Sequence, residues 1–305
     1  LKTNDILISM TGNPGRVAKI QNENLPALLN QRVGKFEILN NDIISKEYFY
    51  HYVNSKVFEN SVISLAHGSA QLNVSSLQIE SVQIPLPPLD IQQKIVAEIE
   101  ALEAKEKKAK EEVERLKESI YVILNIYPKG SISEICKVSD LKENPQNNLE
   151  KEYTYLGLEH LESDTGKIFM NKEFGEKILS TKNIFVEGDV LYGKLRPYLN
   201  KVAEPSFSGI CSTDILVLKT KVPKILKYLL LSKDLVSQTS ILMKGISLPR
   251  IGKSDFLNQK IPLPPLAEQK KIVAEIEKIE TQLNALTLAI SQVAAQKEAV
   301  LNNYL

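Results

Sequence analysis

The hexapeptide IPLPPL occurs at residues 84–89 and again at 261–266, and nearly the same run follows it each time: DIQQKIVAEIE after the first copy, AEQKKIVAEIE after the second. Fourteen of these seventeen positions are identical at an offset of 177. A segment written twice at that distance marks a chain built from two copies of one unit, and a fold for these 305 residues must place both. Pro85, Pro87 and Pro88 exclude a helix through the hexapeptide itself but suit the start of one. Asp90, with Gln93 three residues later, has the spacing of a capping box; Ala267 replaces the aspartate in the second copy and weakens that cap.

A helix is predicted after each proline run. In the second, Ile272, Ile276, Ile279, Leu283, Leu286, Ile290 and Val293 recur at spacings of four and three, Lys297 interrupts, and Val300 resumes. The first carries Ile95, Ile99, Leu102, Glu106, Ala109, Val113, Leu116 and Ile120 in the same rhythm. Three to four heptads with apolar a and d positions predict a coiled coil. Identical starts and matched lengths predict that the two helices pair with each other, antiparallel because the chain returns through a compact module between them. A helix of roughly 33 residues spans about 50 Å, so the expectation is a rod with a module at each end. The charged stretch EAKEKKAKEEVERLK (103–117) reads as a solvated face with Glu–Lys pairs.

Residues 124–260 read as mixed α/β. The runs DVLYG (189–193) and TDILVLKT (213–220) predict strands among Gly, Asn and Pro turns, and 222–236 predicts a helix. The segment before the first helix repeats this weakly. NDILISMTG (4–12) parallels GDVLYGKLR (188–196), and HGSAQLNVSSLQIESVQIPLPP (67–88) parallels KGISLPRIGKSDFLNQKIPLPP (244–265), with Gly68 opposite Gly245 and Val74 opposite Ile251. Residue 1 aligns near residue 185, so the first module is expected to lack its N-terminal part. The predicted organisation is α/β (α+β), with modules bridged by two long antiparallel coiled-coil helices and an internal pseudo-repeat. It comprises a partial first module at 1–83, a first helix at 84–123, a second module at 124–260 and a second helix at 261–305.

Composition narrows the chemistry. The net charge of +1 carries no global basic excess, so contact with nucleic acid must come from local patches. Cys136 and Cys211 form no CxxC pair, and His51, His67 and His160 show no ligand spacing. Neither a metal site nor a disulfide framework is expected, which fits a reducing cytoplasm. No membrane span and no signal peptide are expected. Adenine methyltransferases need an N/D-P-P-Y/F loop, and here the PP pairs lie in LPPL. IGKS (251–254) has the ending of a phosphate loop, but Ser247 stands where its first glycine should be. Ser, His and Asp show no triad-like ordering.

What remains is polar and basic residues in turns. YGKLRPYLNK (192–201) gathers Lys194, Arg196, Tyr198, Asn200 and Lys201 around one proline, and Arg250 and Lys253 flank a strand-like run. Arg16, Gln31, Arg32, Ser69 and Gln71 occupy comparable places in the first module. Arg and Lys reach guanine edges and phosphates, and Gln or Asn pairs with adenine. Taken singly each is a solvated turn residue; repeated in two modules they form a candidate DNA-binding set.

The proline-rich start followed by xxQxKIVAEIE, after a module carrying GDVLYGKLRPYLNK and CSTDILVL, resembles the specificity subunit of type I restriction-modification systems along essentially the whole chain. The resemblance implies two target-recognition domains, each reading one half of a split DNA sequence, and two helices forming an antiparallel coiled coil that sets the spacer. It implies a non-catalytic chain that docks two DNA adenine methyltransferase subunits, joined by restriction subunits. S-adenosylmethionine, ATP and Mg then belong to those partners, and this chain binds no cofactor. Two other readings stay open at this point: a coiled-coil adaptor that binds only protein, and the specificity end of a fused methyltransferase-nuclease.

Overall fold

The structure, a computed structural model, describes residues 1–68 and 71–305. The chain divides into two compact units, Leu1–Glu112 with Ala285–Leu305, and Val113–Asn284. Each unit therefore contains part of both long helices.

The first unit opens with an antiparallel sheet in the order β2-β1-β3, formed by β1 (Ile6–Ser9), β2 (Val17–Lys19) and β3 (Val33–Phe36). Alternate residues Ile6 and Ile8 of β1 are buried, as a strand with one face on a core requires. Helices α1 (Lys46–Val53), α2 (Lys56–Leu65) and α3 (Ser76–Glu80) follow. Each starts after a serine whose hydroxyl accepts an N–H of the first turn: Ser45 from Tyr48, Ser55 from Phe58, Ser75 from Gln78. Tyr48, Val53, Phe58 and Val62 pack around Ile6 and Ile8. Ile95 and Ile99 from the start of α4 (Leu89–Asn125), and Leu301 from the end of the last helix, complete this core.

The second unit holds β4 (Lys129–Ser131), β5 (Cys136–Val138), β6 (Lys142–Glu143), β7 (Glu152–Leu156), β8 (Lys172–Phe174), β9 (Lys182–Phe185), β10 (Val190–Gly193), β11 (Val202–Ala203), β12 (Gly209–Cys211) and β13 (Ile215–Thr220). After them come α5 (Pro223–Leu231), α6 (Lys233–Ile241), α7 (Lys253–Leu257), β14 (Lys260–Pro262) and α8 (Leu266–Tyr304). One sheet runs β11-β10-β13-β5, a second β6-β9-β12-β7-β8, and β14 pairs with β4. All four residues of β10 are buried because both its faces are covered. Val190 and Tyr192 face the helical core with Ile225, Leu226 and Leu229 of α5, while Leu191 faces Leu156 and Phe185 of the second sheet. Two helices, not one, cover 222–236: the chain breaks at Ser232, whose hydroxyl caps α6 by accepting the Leu235 N–H at 3.3 Å.

The long helices run antiparallel within each unit. In the first, Tyr304 donates to Glu98 and Lys297 donates to Glu103 at 2.8 Å; in the second, Ile120 and Leu124 share a core with Ile272 and Ile276. The predicted seam residues are the less exposed side of each helix: Ile95, Ile99, Leu116, Ile272 and Ile276 are buried, and Leu102, Val113, Ile279, Leu283, Leu286 and Ile290 are half-buried. Glu106 and Lys297, the two polar interruptions of the heptads, stand 4.0 Å apart, so the breaks answer each other. A charged pair at such positions fixes register at some expense of stability.

The predicted cap at Asp90 does not form. Helix α4 begins at Leu89, so Asp90 lies inside the first turn, 4.0 Å from Lys94. The junction is held instead by Gln92, which is 0% exposed: its amide donates to Ile43 O and Pro87 O at 2.8 and 2.9 Å and accepts the Ser45 N–H at 2.8 Å. In the second copy Gln269 donates to Pro264 O at 3.0 Å. The glutamine of the repeated motif thus ties each helix to its own proline turn.

Candidate functional site

The candidate residues sit on a backbone frame that both units build from equivalent parts. In the first unit His67 and Asn73 exchange both backbone hydrogen bonds at 2.9 Å, the Gly12 N–H donates to Leu72 O, and the Val74 N–H donates to Met10 O. In the second, Lys244 and Arg250 exchange theirs at 2.8 and 2.9 Å, the Arg196 N–H donates to Pro249 O, and the Ile251 N–H donates to Lys194 O. Gly68 and Gly245 turn the two loops at φ +126° and +107°, a backbone region that suits glycine. The sheets agree as well. Ser9 N–H to Arg16 O matches Gly193 N–H to Lys201 O, and Met10 N–H to Arg32 O matches Lys194 N–H to Asp214 O. The order β2-β1-β3 therefore reappears as β11-β10-β13, with a loop laced onto its central strand.

This correspondence equates Met10 with Lys194, Gly12 with Arg196, Arg16 with Lys201, Arg32 with Asp214, Gln71 with Leu248 and Asn73 with Arg250. Gly12 and Arg196 share an unusual backbone, φ +82° and +50°. Glycine adopts this left-handed region freely, whereas a residue with a Cβ is strained there.

Arg196 and Tyr198 are exposed, and neither side chain has a partner among the described residues. Lys194 is half-buried and lines a cavity of about 490 Å³ together with Lys142, Lys244, Arg250 and Lys253. Arg250 is already engaged: its guanidinium forks onto Asp214 at 2.7 and 2.9 Å. Hydrogen bonds from Arg250 hold the Asp214 carboxyl below its ordinary range, against burial, and raise Arg250 in turn. Lys253 is exposed and reaches Asp140 at 2.8 Å.

Asn200 and Lys201 turn inward, which corrects their placement in the DNA-binding set. Asn200 is 3% exposed and donates to Asp164 and to Leu231 O; Lys201 donates to Leu158 O and Leu161 O at 2.6 and 2.9 Å. Both brace the turn through these donors, while the Asn200 Oδ1 is buried without a hydrogen-bond partner among the described residues. In the first unit Arg16, Gln31, Arg32 and Gln71 are all exposed. Ser69 lies outside the described residues.

Three participants escape a reading of the sequence. Asp214 pairs with a residue 36 positions away, and no local pattern announces that. Ile246 and Leu248 stand exposed at the loop tip beside Gly245; only the alignment of GIS with the first module's GSA marks the place. The thiols offer no nucleophile, since burial pushes Cys136 and Cys211 up to about 12. Among the described residues no group of His, Cys, Asp and Glu is placed to hold a metal ion.

A family model described as the type I restriction modification DNA specificity domain matches residues 1–115 and 127–295. The type I restriction enzyme EcoDI specificity subunit of Escherichia coli is 29% identical over 163 residues, 52% of this chain and 37% of that protein. The MjaVIII specificity subunit of Methanocaldococcus jannaschii is 30% identical over 132 residues, 41% of this chain and 31% of that one. The matched regions thus amount to about a third of the length of these relatives. In fold, the chain resembles one from a solved type I restriction-modification system, at 19% identity and TM-score 0.58, covering 100% of this chain and 82% of that one. It also resembles the type I restriction-modification S subunit of M. genitalium, at 13% identity and TM-score 0.52, covering 99% and 83%.

Proposed function

The chain belongs to the type I restriction-modification DNA specificity domain family, and from that premise we propose that it is the sequence-reading, non-catalytic component of a DNA adenine methyltransferase and restriction complex. Each module reads one half of a split DNA target, and the antiparallel helices set the spacer between the halves. The observation that carries this reading is the duplicated frame: one strand-and-loop scaffold, built twice with the same hydrogen bonds, presents different side chains at equivalent positions. Two readers of one design with unlike contact residues suit two unlike half-sites. The exposed Arg16 and Arg32 in one module, and in the other Arg196 with a cavity lined by Lys142, Lys194, Lys244, Arg250 and Lys253 as well as by Asp140 and Asp255, supply the local basic surface that the near-neutral total does not.

In this reading the chain performs no chemistry. Two methyltransferase subunits dock on it and restriction subunits join them; S-adenosylmethionine, ATP and Mg serve those partners, in the cytoplasm. Purified chain supplied with S-adenosylmethionine and DNA transfers no methyl groups. The direct test is binding to duplex DNA against salt. A reader making phosphate contacts loses affinity steeply, with a slope of about −0.9 per phosphate on a double-logarithmic plot. A protein-only adaptor shows no binding and no slope. Mapping methylated adenines in DNA from cells carrying the complex then gives the target.

A further inference from the structure

Gly12 and Arg196 occupy the same place in the two frames: the residue after the strand extension, in left-handed backbone, with its N–H donated to the loop (Leu72 O at 2.9 Å, Pro249 O at 2.7 Å). In the first unit glycine makes this conformation cheap. In the second an arginine holds it against steric preference, with Pro197 fixing the next residue. Strain of this kind persists when the side chain does something that glycine cannot. The Arg196 side chain is exposed and has no partner among the described residues, so it braces nothing in the fold. The neighbouring cation at the same loop, Arg250, is by contrast locked onto Asp214 by two hydrogen bonds. In the first unit this arrangement is inverted: Arg32 replaces the aspartate, is exposed, and has no side-chain partner among the described residues, while Asn73 replaces the arginine.

We propose that Arg196 and Arg32 are specificity-determining residues of the two modules, each an uncommitted guanidinium beside the laced loop of its frame, and that each reads a base edge of its own half-site. This deepens the DNA-reading proposal and rests on it. A guanidinium free of internal partners keeps both arms of its fork for the two acceptors of a guanine. Arg250 cannot serve this way while Asp214 occupies its fork. The frame places the two readers on different strands, Arg196 after the central one and Arg32 just before β3, so the two modules approach their half-sites with different geometry from one scaffold.

The test uses Arg196→Gly, which restores the glycine of the sister frame and removes backbone strain. The protein, purified with the subunits that accompany it, is titrated on its mapped target and on duplexes mismatched at single positions, beside a thermal melt. The expected result is an unchanged or higher melting temperature together with loss of discrimination, roughly 5- to 150-fold, at one base pair of one half-site. Arg32→Ala is expected to do the same at one base pair of the other half-site and leave the first untouched. A lower melting temperature for Arg196→Gly makes the residue structural and overturns the inference. So does uniform weakening on all sequences with a shallower salt slope, which marks a phosphate contact, and so does unchanged discrimination. If the unaltered protein binds no duplex, the DNA-reading proposal itself fails, an outcome distinct from a reader whose specificity survives the substitution.

Discussion

Gln92 offers the sharpest test of how the repeated motif works, because its partners are few and its twin does less. Its amide, itself fully buried, makes three hydrogen bonds in the first unit, to Ile43 O, Pro87 O and the Ser45 N–H, all between 2.8 and 2.9 Å. Gln269 makes one, to Pro264 O at 3.0 Å, and is half-buried. A hydrogen bond of this kind contributes about 0.5–1.5 kcal/mol net. Gln92→Ala should therefore destabilise by about 3 kcal/mol and Gln269→Ala by about 1 kcal/mol. The larger loss also has a defined location. The Ser45 N–H is held by Gln92, and the Ser45 hydroxyl caps α1, so the amides of Tyr48 to Val53 should lose protection first. Hydrogen exchange read segment by segment, with urea unfolding for the total, checks both statements. A Gln92→Ala protein within about 0.5 kcal/mol of the parent, or a Gln269→Ala protein hurt as badly, would refute the view that the glutamine works by tying the proline turn down.

Further outcomes follow from the same contacts. Ile276→Asp puts an unpaired carboxylate at a fully buried seam position and should lower stability by roughly 3–5 kcal/mol, whereas Leu288→Asp on the exposed side should change it by under about 0.5 kcal/mol; equal melting temperatures for the two would contradict the assigned seam. Lys297→Glu faces Glu103 and Glu106 with a third acid and should destabilise by about 1 kcal/mol, with partial recovery at 1 M salt; a loss indifferent to salt would point to packing instead. The Asp214 carboxyl is lowered in the fold, so its pairing stabilises at pH above the ordinary aspartate range and is lost as pH falls through the lowered value. Asp214→Asn should accordingly melt below the parent at pH 7, and the gap should close on acidification; a gap constant with pH would exclude the pairing as its cause. Glu280 is drawn upward by burial but held low overall by hydrogen bonds from Lys224, Lys227 and Tyr228, and Glu280→Ala strands the half-buried Lys224 and leaves Lys227 with Glu204 alone, for a loss of about 2 kcal/mol in thermal or urea unfolding; a loss under about 0.5 kcal/mol would show that the cluster is solvated.

Periodicity made the helices legible, because a buried stripe leaves a repeating mark whatever lies opposite. The seam from Ile272 to Ile290 is visible in the residues alone for that reason. The strands β10 and β13 were legible as unbroken apolar runs, which is how a strand covered on both faces reads. Short-range polar chemistry was less so. The same letters DIQQK permit a cap by Asp90 or an anchor by Gln92, and only the fold around them, with Ile43 and Ser45 brought in from nearly fifty residues away, decides for the anchor. Asn200 and Lys201 looked like surface residues because they stand in a polar turn. They are inward because Leu158, Leu161 and Leu231, distant in sequence, offer carbonyls there. Exposure of a polar residue in a turn is a tertiary property, and composition does not carry it.

The two copies within the chain have kept some positions and changed others, and the division has a physical sense. Retained are the joints: the proline turn, the glutamine behind it, the serine at the helix break (Ser55 and Ser232), the glycine that turns the loop (Gly68 and Gly245), and the apolar residues Val74 and Ile251 below it. Each supports a conformation that several elements need at once, so a change at one is felt by the whole unit. Altered are positions at the rim of the frame, exposed in all but the half-buried pair Asp214 and Arg250: Gly12 and Arg196, Arg32 and Asp214, Gln71 and Leu248, Asn73 and Arg250. The backbone hydrogen bonds there are the same in both copies whatever side chains they carry, and the second unit adds the pair of Asp214 with Arg250. A structural role would tolerate arginine in left-handed backbone poorly when glycine serves in the twin. The divergence therefore falls mainly on the outward positions of a fixed scaffold, as the proposed reading of two unlike half-sites requires.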